Sequence, residues 1–506
     1  MPREPSSRHE GHAPRREIGP LGGVIEGEPG NATHVSTESG LQNPDFRDGF
    51  DEAWTAPQQP RPEYADVLRA LSRFERTSLR ARIRLRLARG GVTFGSDDGS
   101  TPFVVDPVPR VITADEWATL APGIAQRVRA LEAFVQDAYG ERRIVDAGIV
   151  GARTIDTAEG YEPELRGRLP QDVAAIGVAG LDVVRDRDGS FLVLEDNVRT
   201  PSGFAYAAAA RAVLEQEPLP TASRREFGDA AFAALGAALA AAAPAGGDPR
   251  DAAVLTDGPH SSAYYEHGQV ARRLGLALVT PAELELHGGR LVRRARRGRR
   301  RPVDVLYRRC DEDRMRDDDG RPTAIAALLA EPWLEGRLGL VNGFGTGVAD
   351  DKAIHAHVEA MIGFYLDEQP LLRSVRTLDL GDPAHRRRAL DEIRRLVVKP
   401  RAGQGGSGVV ICAHASDDDV AQVVRDIKRE PQRFVAQETI ALSQHPTMMD
   451  DGSLAPRHVD LRPFAFATAD GVQVPAGGLT RVALEAGAMV VNSSQDGGGK
   501  DTWVLG

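Results

Sequence analysis

The sequence predicts a mixed α/β protein, an α/β (α+β) fold class, from three observations. Between about residues 250 and 309, short apolar runs alternate with a helical pattern: DAAVLTDG, SSAYYEHGQVARRLG, LALVT, a basic hairpin and PVDVLYRR. Such alternation marks strand–helix units around a parallel sheet. From about Arg376 onward, strands and glycine-rich loops dominate. Upstream, IGVAGLDVVRDRDGSFLVLEDN reads as two strands joined by a turn at Asp188-Gly189.

Composition narrows the function. The 506 residues suffice for two or three domains. A hydrophobic content of 41% and a charged content of 27% fit a soluble globular enzyme. The net charge of -10 argues against a general nucleic-acid binder. Cys310 and Cys412 form neither a zinc pattern nor a disulfide framework, which points to a reducing cytosol. The N-terminus lacks the apolar core of a secretory signal. No apolar run suffices to span a bilayer; the nearest, DAAFAALGAALAAAAPAGG, is mostly alanine and reads as a helix entering a linker. The expectation is a cytoplasmic protein with no membrane or nucleic-acid partner.

Residues 1–50 are polar, rich in Gly, Pro, Arg and Glu, and read as disordered. Residues 51–245 hold a helical region and the strand pair. Helical spacing predicts one long amphipathic helix from Tyr64 to Arg89 and a second from Ala114 to Tyr139. After LEDN, Thr200 as N-cap and Pro201 at the first position predict a helix continuing through GFAYAAAAR. An Ala/Pro/Gly-rich stretch marks a boundary before residues 246–375, the α/β unit. Residues 376–506 carry the remaining strands and glycine loops.

Several strings carry chemistry. Glu195 and Asn197 are two residues apart, so on a strand they share one face. A carboxylate plus an amide oxygen is a hard-oxygen set that Mg²⁺ accepts, usually with phosphate oxygens completing the octahedron. The same string also fits a plain acidic strand-to-helix turn. In RLVVKPRAGQGGSGVVI a strand delivers Lys399 beside Gly403, Gly405, Gly406 and Gly408. Glycines let backbone N–H groups close on phosphate oxygens, and the lysine adds a point charge. No GK[ST] opens a helix there, so it is not a P-loop. Gln437-Glu438 end a strand before an apolar run, as an adenine-reading hinge would and as an ordinary strand end would. His458, Asp460 and Arg462 share a strand face, either as a cross-strand salt bridge or as a clamp on a phosphoryl group. Arg481, Asn492 and GGGKD follow, with Asp501 where a Walker loop needs Ser or Thr. In VNGFGTGVADDK, Asp350 or Asp351 is placed to N-cap an amphipathic helix. Tyr264 and His267 share a helix face as substrate-contact candidates, and Arg308 and Arg309 end a strand where α/β sheets gather ligands. The arginine run from Arg290 to Pro302 reads as a solvated hairpin tip.

In combination, Lys399 with its glycine loop, the Gln437-Glu438 strand end, DxR, R…N…GGG, GxD and ExNxxxPxG resemble the ATP-grasp ligases. The glutamate-adding and D-alanine ligases carry these strings in that order; here the order is rotated. GLDVVRDRDGSFLVLEDNVRTPSG, normally last, comes first, and KPRAGQGGSG through SSQDGGGKDTW comes last. NGFGTGVADDK, similar to the "N…DK" of the domain preceding an ATP-grasp core, lies between them. The chain thus resembles the bacterial circularly permuted ATP-grasp family, type 2, through LEDNxRTPSG, YRRxDxD, GTGVADDK, RHVDLRPF and GGLTRVAL…VNSSQ…KDTWVL, from roughly Tyr64 to Leu505. It departs at Cys310, in the loop RAGQGGSG and at Asp496. The resemblance implies a circularly permuted ATP-grasp fold with a Rossmann-like α/β substrate domain, the pre-ATP-grasp domain, inserted between its halves. The metal-binding half lies in 51–245 and the Lys/Gly-loop half in 376–506. Such rotation is tolerated where the original termini meet at the surface.

The resemblance also implies ATP and Mg²⁺ as cofactors, and small-molecule or peptide carboxylates and amines joined through an acyl phosphate. Asp182, Glu195 and Asn197 would hold Mg²⁺. Lys399, Gly403, Gly405, Gly406 and Gly408 would grip the phosphates, and Gln437, Glu438 and Asn492 would complete the nucleotide site. Arg462 and Arg481, with Lys399, would be the catalytic cations. The helix start at Thr200 to Gly203 would face the substrate carboxylate. Electrostatics agrees with a dense cationic site, because a carboxylate and a phosphate in contact repel by roughly 4 kcal/mol at an effective dielectric near 20. Arg376 is the expected stand-in for the second ATP-contacting lysine of many ATP-grasp enzymes. The alternative is a non-catalytic ATP-binding scaffold acting with partner proteins; the intact Asp182, Glu195 and Asn197 set favours the ligase.

Overall fold

Strands from both ends of the chain build one ten-stranded sheet. The computed structural model describes residues 49–506 except 57–58, 95–100, 221–222, 296–297, 313, 404–407 and 489–496. Residues 1–48, expected to be disordered, lie outside the described residues, as do Gly405, Gly406 and Asn492. The main path runs Arg373–Ser374, Phe191–Asn197, Val178–Arg185, Leu454–Arg462, Leu479–Val482, Gly498–Val504 and Val105–Ile112. The predicted hairpin is present, with Gly189 at φ 85° in its turn. Its first strand also pairs antiparallel with Leu454–Arg462 and Phe464–Thr468. Gly498–Val504 runs parallel to Val105–Ile112. The two halves of the rotated chain are therefore hydrogen-bonded into one layer.

Strand alternation separates core from cleft. Leu181, Val183 and Leu461 pack in one core with Leu120, Ile124, Val128 and Leu131 of the helix Ala114–Tyr139. That helix begins at a capping box of Thr113 and Glu116, where the sequence places it. Asp182, Asp460 and Arg462 take the other face and line a cleft. The helix Phe204–Leu214 packs with Phe464, Phe466, Leu479 and Trp503 in the second core.

Two smaller sheets flank this layer. Gly339–Val341, Val305–Arg309, Ala252–Thr256 and Ala277–Val279 form a parallel sheet in that order. Its strands are apolar on both faces because helices cover both, as parallel sheets require. Thr377–Asp379, Phe434–Glu438, Leu396–Pro400 and Val410–Ile411 form an antiparallel sheet covered by Pro383–Asp391 and Asp417–Arg429.

Three local expectations change. The helix expected from Tyr64 to Arg89 is two, Ala65–Leu71 and Arg76–Arg89, because the Glu75 carboxylate caps the second by accepting the N–H groups of Thr77 and Ser78. The helix after LEDN begins at Phe204 rather than Pro201, with Gly203 as N-cap at φ 135°, a conformation that favours glycine. The helix after Asp351 is broken into short turns, the first being Lys352–His355, which Asp351 does N-cap.

GGGKD belongs to a core strand. Lys500 is buried against Asp106, and Asp501 accepts from Arg211 at 2.8 Å and from the Trp503 indole at 2.6 Å. A Cβ on Gly499 would meet Phe103 at 2.5 Å. His445 is likewise structural, 3.1 Å from the Tyr64 hydroxyl. Cys310 and Cys412 are buried and not joined in a disulfide. Among the described residues no helix is long and apolar enough to cross a membrane.

Glu52 fastens the start of the described chain to this layer. It accepts from Arg110 at 2.6 and 3.1 Å and from Ser443 at 2.6 Å. Burial alone would raise its carboxyl, but Arg110 and Arg185 outweigh burial and hold it at about 2. A folded-state value below the ordinary 4.5 gives stability that is full above that pH and lost as pH falls toward 2. The stability gap between the native protein and Glu52→Gln is expected to shrink between pH 7 and pH 2 by about 3 kcal/mol, measured by denaturant unfolding.

Candidate active site

A cleft of about 500 Å³ opens between the polar face of the main sheet and the small antiparallel sheet. Asp182, Glu195, Asn197, Lys399, Gly403, Gln437, Glu438, Arg462 and Arg481 all line it. Gly408 does not; it packs against Pro400 in the left-handed region at φ 72°. Residues distant in sequence and singled out for separate reasons thus share one wall.

A four-membered ion network forms the floor. Arg462 grips Asp182 with Nε at 2.6 Å and Nη2 at 2.9 Å. Arg481 Nη2 lies 2.8 Å from the same carboxylate, and its Nε donates to Asp460 at 2.8 Å. Register explains the geometry: Asp460 stands opposite Arg481 on neighbouring antiparallel strands. Burial would raise the Asp182 carboxyl, but the two guanidinium groups hold it well below the carboxylate range. Burial disfavours the Arg481 charge as well, yet Asp182 and Asp460 more than restore it. Arg462 Nη1 also donates to the Ser202 carbonyl at 3.3 Å.

Two lysines sit above this floor. Among the described residues Lys399 has no hydrogen-bond or ion-pair partner. Burial pulls its ammonium below the ordinary lysine value, with Glu195 opposing and Lys352 adding to the shift. Lys352 pairs with Glu195 at 2.9 Å and donates to the Gly403 carbonyl at 3.1 Å. Arg376, the expected second cation, instead pairs with Glu392 at 3.1 Å and Glu438 at 3.4 Å and does not line the cleft. The ADDK string was the available signal for Lys352; the helix-cap reading of its neighbour Asp351 hid it.

The metal candidates lie on one face, Glu195 directly opposite Asp182 and Asn197 two positions on. The Asn197 amide nitrogen is buried without a partner. Reversing that amide would point its oxygen to the same place, since O and N of an amide are assigned from their partners. A hard-oxygen donor set with an orphaned amide fits a divalent cation. Asp182 is already shared between two arginines and Glu195 is paired with Lys352, which leaves Asn197 as the uncommitted member of the set. Among the described residues no group of three or more His, Cys, Asp or Glu side chains is arranged to hold a metal.

Val184, Leu194, Val397, Ile411, Ile440 and Leu442 make an apolar slot in the same cleft. The Gln437-Glu438 strand end beside it is partly spent internally. The Glu438 and Thr439 N–H groups donate to the Arg376 and Arg395 carbonyls, and the Gln437 side chain donates to the Leu194 carbonyl and the Thr377 hydroxyl. Gln437 is thus a staple between two sheets.

The start of the helix Phe204–Leu214, expected to face a substrate carboxylate, is already capped. The buried Glu266 carboxylate accepts the N–H groups of Gly203 and Ala205 at 2.9 and 3.0 Å. Arg309 bonds the Ser202 hydroxyl, whereas Arg308 is buried over the Phe344 ring at 4.3 Å. His267 bonds Thr256 at 2.8 Å, and neither it nor Tyr264 reaches the cleft; Ser262 and Ala263, just before them, do. Asn342 stitches the parallel sheet to the main one through Val178 and Val198 at 2.7 Å. The arginine-rich segment forms a three-stranded antiparallel sheet with exposed Arg299, Arg300 and Arg301.

A second cavity of about 590 Å³ shares Arg199, Asp350, Lys352 and Gly403 with the first. Its walls carry six carboxylates against four cations. Arg314 is paired with Glu312 and Asp318, and Arg401 with Asp351. Asp350 stands at the junction. Burial pushes its carboxyl up to about 6, with Arg199 and two backbone N–H groups only partly opposing.

The chain is 45% identical over 473 residues to the "Putative glutamate--cysteine ligase 2-2" of Frankia casuarinae, a match spanning 90% of this chain and 54% of that protein. It thus spans about half the length of such relatives. It is 38% identical over 477 residues to an "Uncharacterized protein" of Synechocystis sp., spanning 92% and 98% of the two chains. A glutathione synthetase-like effector from Globodera pallida shares the fold at a TM-score of 0.55 and 10% identity, over 85% of this chain and 97% of that one. Residues 109–483 match the family described as circularly permuted ATP-grasp type 2. By that match and these relatives, the chain belongs to the circularly permuted ATP-grasp family, type 2.

Proposed function

We propose that this protein is an ATP- and Mg²⁺-dependent ligase that joins a carboxylate to an amine through an acyl phosphate. One observation carries the reading: Asp182, Glu195 and Asn197 from one half of the chain meet Lys399, Arg462 and Arg481 from the other around a single cleft. On this reading the apolar slot takes adenine, and Lys399, Lys352 and the Gly403 loop hold the β- and γ-phosphates. Glu195 and Asn197, with Asp182, would hold Mg²⁺, which neutralises phosphate charge when bound. Residues 246–375 form the substrate domain.

The carboxylate oxygen attacks the γ-phosphorus, the bond to the β-phosphate oxygen breaks, and ADP leaves. The amine nitrogen then attacks the acyl carbon and phosphate departs. Arg462 and Arg481, their planes fixed by Asp182 and Asp460, face the developing charge without reorganising. The acidic cavity beside Lys352 offers a protonated amine a route to the phosphate end. Asp350 at its junction is suited to take the proton the amine must lose.

The relatives' names make glutamate and cysteine the first pair to test. ADP and phosphate release with these two, then with a wider carboxylate and amine panel, is expected for the native protein and not for Lys399→Ala. ATP binding without ADP release in any mixture would favour the scaffold reading. Lys352→Ala is expected to weaken ATP binding roughly tenfold and Arg376→Ala by less than about twofold, by calorimetric titration. The reverse order would remove Lys352 from the phosphate site.

A further inference from the structure

Behind the Glu195 and Asn197 wall lies a buried charged triad that none of the steps above uses. Asp196 stands between those two residues on the strand, so its side chain points to the opposite, helix-covered face. There Arg127 of the helix Ala114–Tyr139 grips it with Nε at 2.5 Å and Nη2 at 2.9 Å. His355 Nδ1 lies 2.7 Å from the same carboxylate. Arg127 Nη2 also lies 3.1 Å from Nδ1, but the carboxylate is the nearer partner and, being ionised, only accepts, so the proton is assigned to Nδ1, which donates it to Asp196. The three side chains are 1%, 1% and 3% exposed. Arg127 Nη1 is steadied by the Ser374 hydroxyl at 2.9 Å.

His355 ends the short helix Lys352–His355, the helix that carries Lys352. That helix is tied to the strand twice. In front, Lys352 meets Glu195 at 2.9 Å; behind, His355 meets Asp196. The strand edge is open to it, because Arg373–Ser374 pairs only with Leu192 and Val193. Among the described residues no backbone ladder pair sets how far Lys352 stands from Glu195 and Asn197; side chains hold it, with Asp350, two residues before, accepting the N–H groups of Val198 and Arg199 just past the strand.

We propose that Asp196, Arg127 and His355 are positioning residues that set Lys352 against Glu195 and Asn197, and so tune the cleft's affinity for a magnesium-bound nucleoside triphosphate. This rests on the ligase reading's nucleotide site. The test is titration of MgATP into the native protein, His355→Asn and His355→Leu, with thermal melts recorded alongside. Asparagine keeps a donor close to the position of Nδ1; leucine fills similar space without one. His355→Leu is expected to weaken binding roughly tenfold or more and His355→Asn by less than about threefold, the size of effect seen when groups supporting a metal site are lost. Binding by His355→Leu within about twofold of the native protein, or equal losses in both variants, would overturn the proposal. If His355→Leu does not fold, Ser374→Ala, which loosens Arg127 while leaving the ion pair, should weaken binding about threefold, and no change would count against the triad. A native protein that binds no MgATP would instead sink the nucleotide site itself.

Discussion

Asp182 cannot be neutralised by its own half of the chain. It lies on the strand Val178–Arg185, and both guanidinium groups that hold it come from strands near the other end. A buried carboxylate stripped of its partners costs about 3–5 kcal/mol. The cleft therefore exists only when the main sheet closes across the rotated order of the chain. Chain order can be permuted without harm to such a site, because what it needs is register. Asp460 opposite Arg481, and Asp182 opposite Glu195, are ladder pairs, and ladder pairs do not depend on which strand is made first.

The same network divides the cations into two kinds. Arg462 and Arg481 are bound to carboxylates that fix their planes, so they can meet a developing charge without first being ordered. Lys399 has no such partner among the described residues, and Lys352 shares Glu195. Among these four cations the uncommitted positive charge is thus on Lys399, with Lys352 held by Glu195 and the Gly403 carbonyl. The acidic second cavity meets the cleft at Lys352. On the proposed function, the carboxylate and the amine would approach that side chain from the two cavities.

Much of this was legible in the residues. The helix Ala114–Tyr139 has both its capping box and its apolar spacing in sequence, and the Asp188-Gly189 turn declares its hairpin. LEDN and VVKPRAG place a carboxylate, an amide and a lysine at strand ends, and those residues do line the cleft. Apart from the helix split by the local Glu75 cap, the errors share a cause, which is that a distant side chain outbid a local signal. Thr200 and Pro201 are good helix-start residues, but Glu266 caps the helix from another sheet's helix and moves its start to Phe204. Lys352 looked like the residue after a cap because its partner Glu195 is remote. Arg376 looked available because Glu392 and Glu438 are not visible as its partners until the small sheet folds.

The sequence by itself determined the elements, the rotated motif order and the residue types able to bind phosphate and metal, because these follow from spacing along one chain. Only the tertiary structure decided which cations are paired with which carboxylates, where the polar cavities join, and that Asp196, Arg127 and His355 meet behind the strand. Those depend on cross-strand register and on contacts between residues far apart in sequence, which local spacing does not encode.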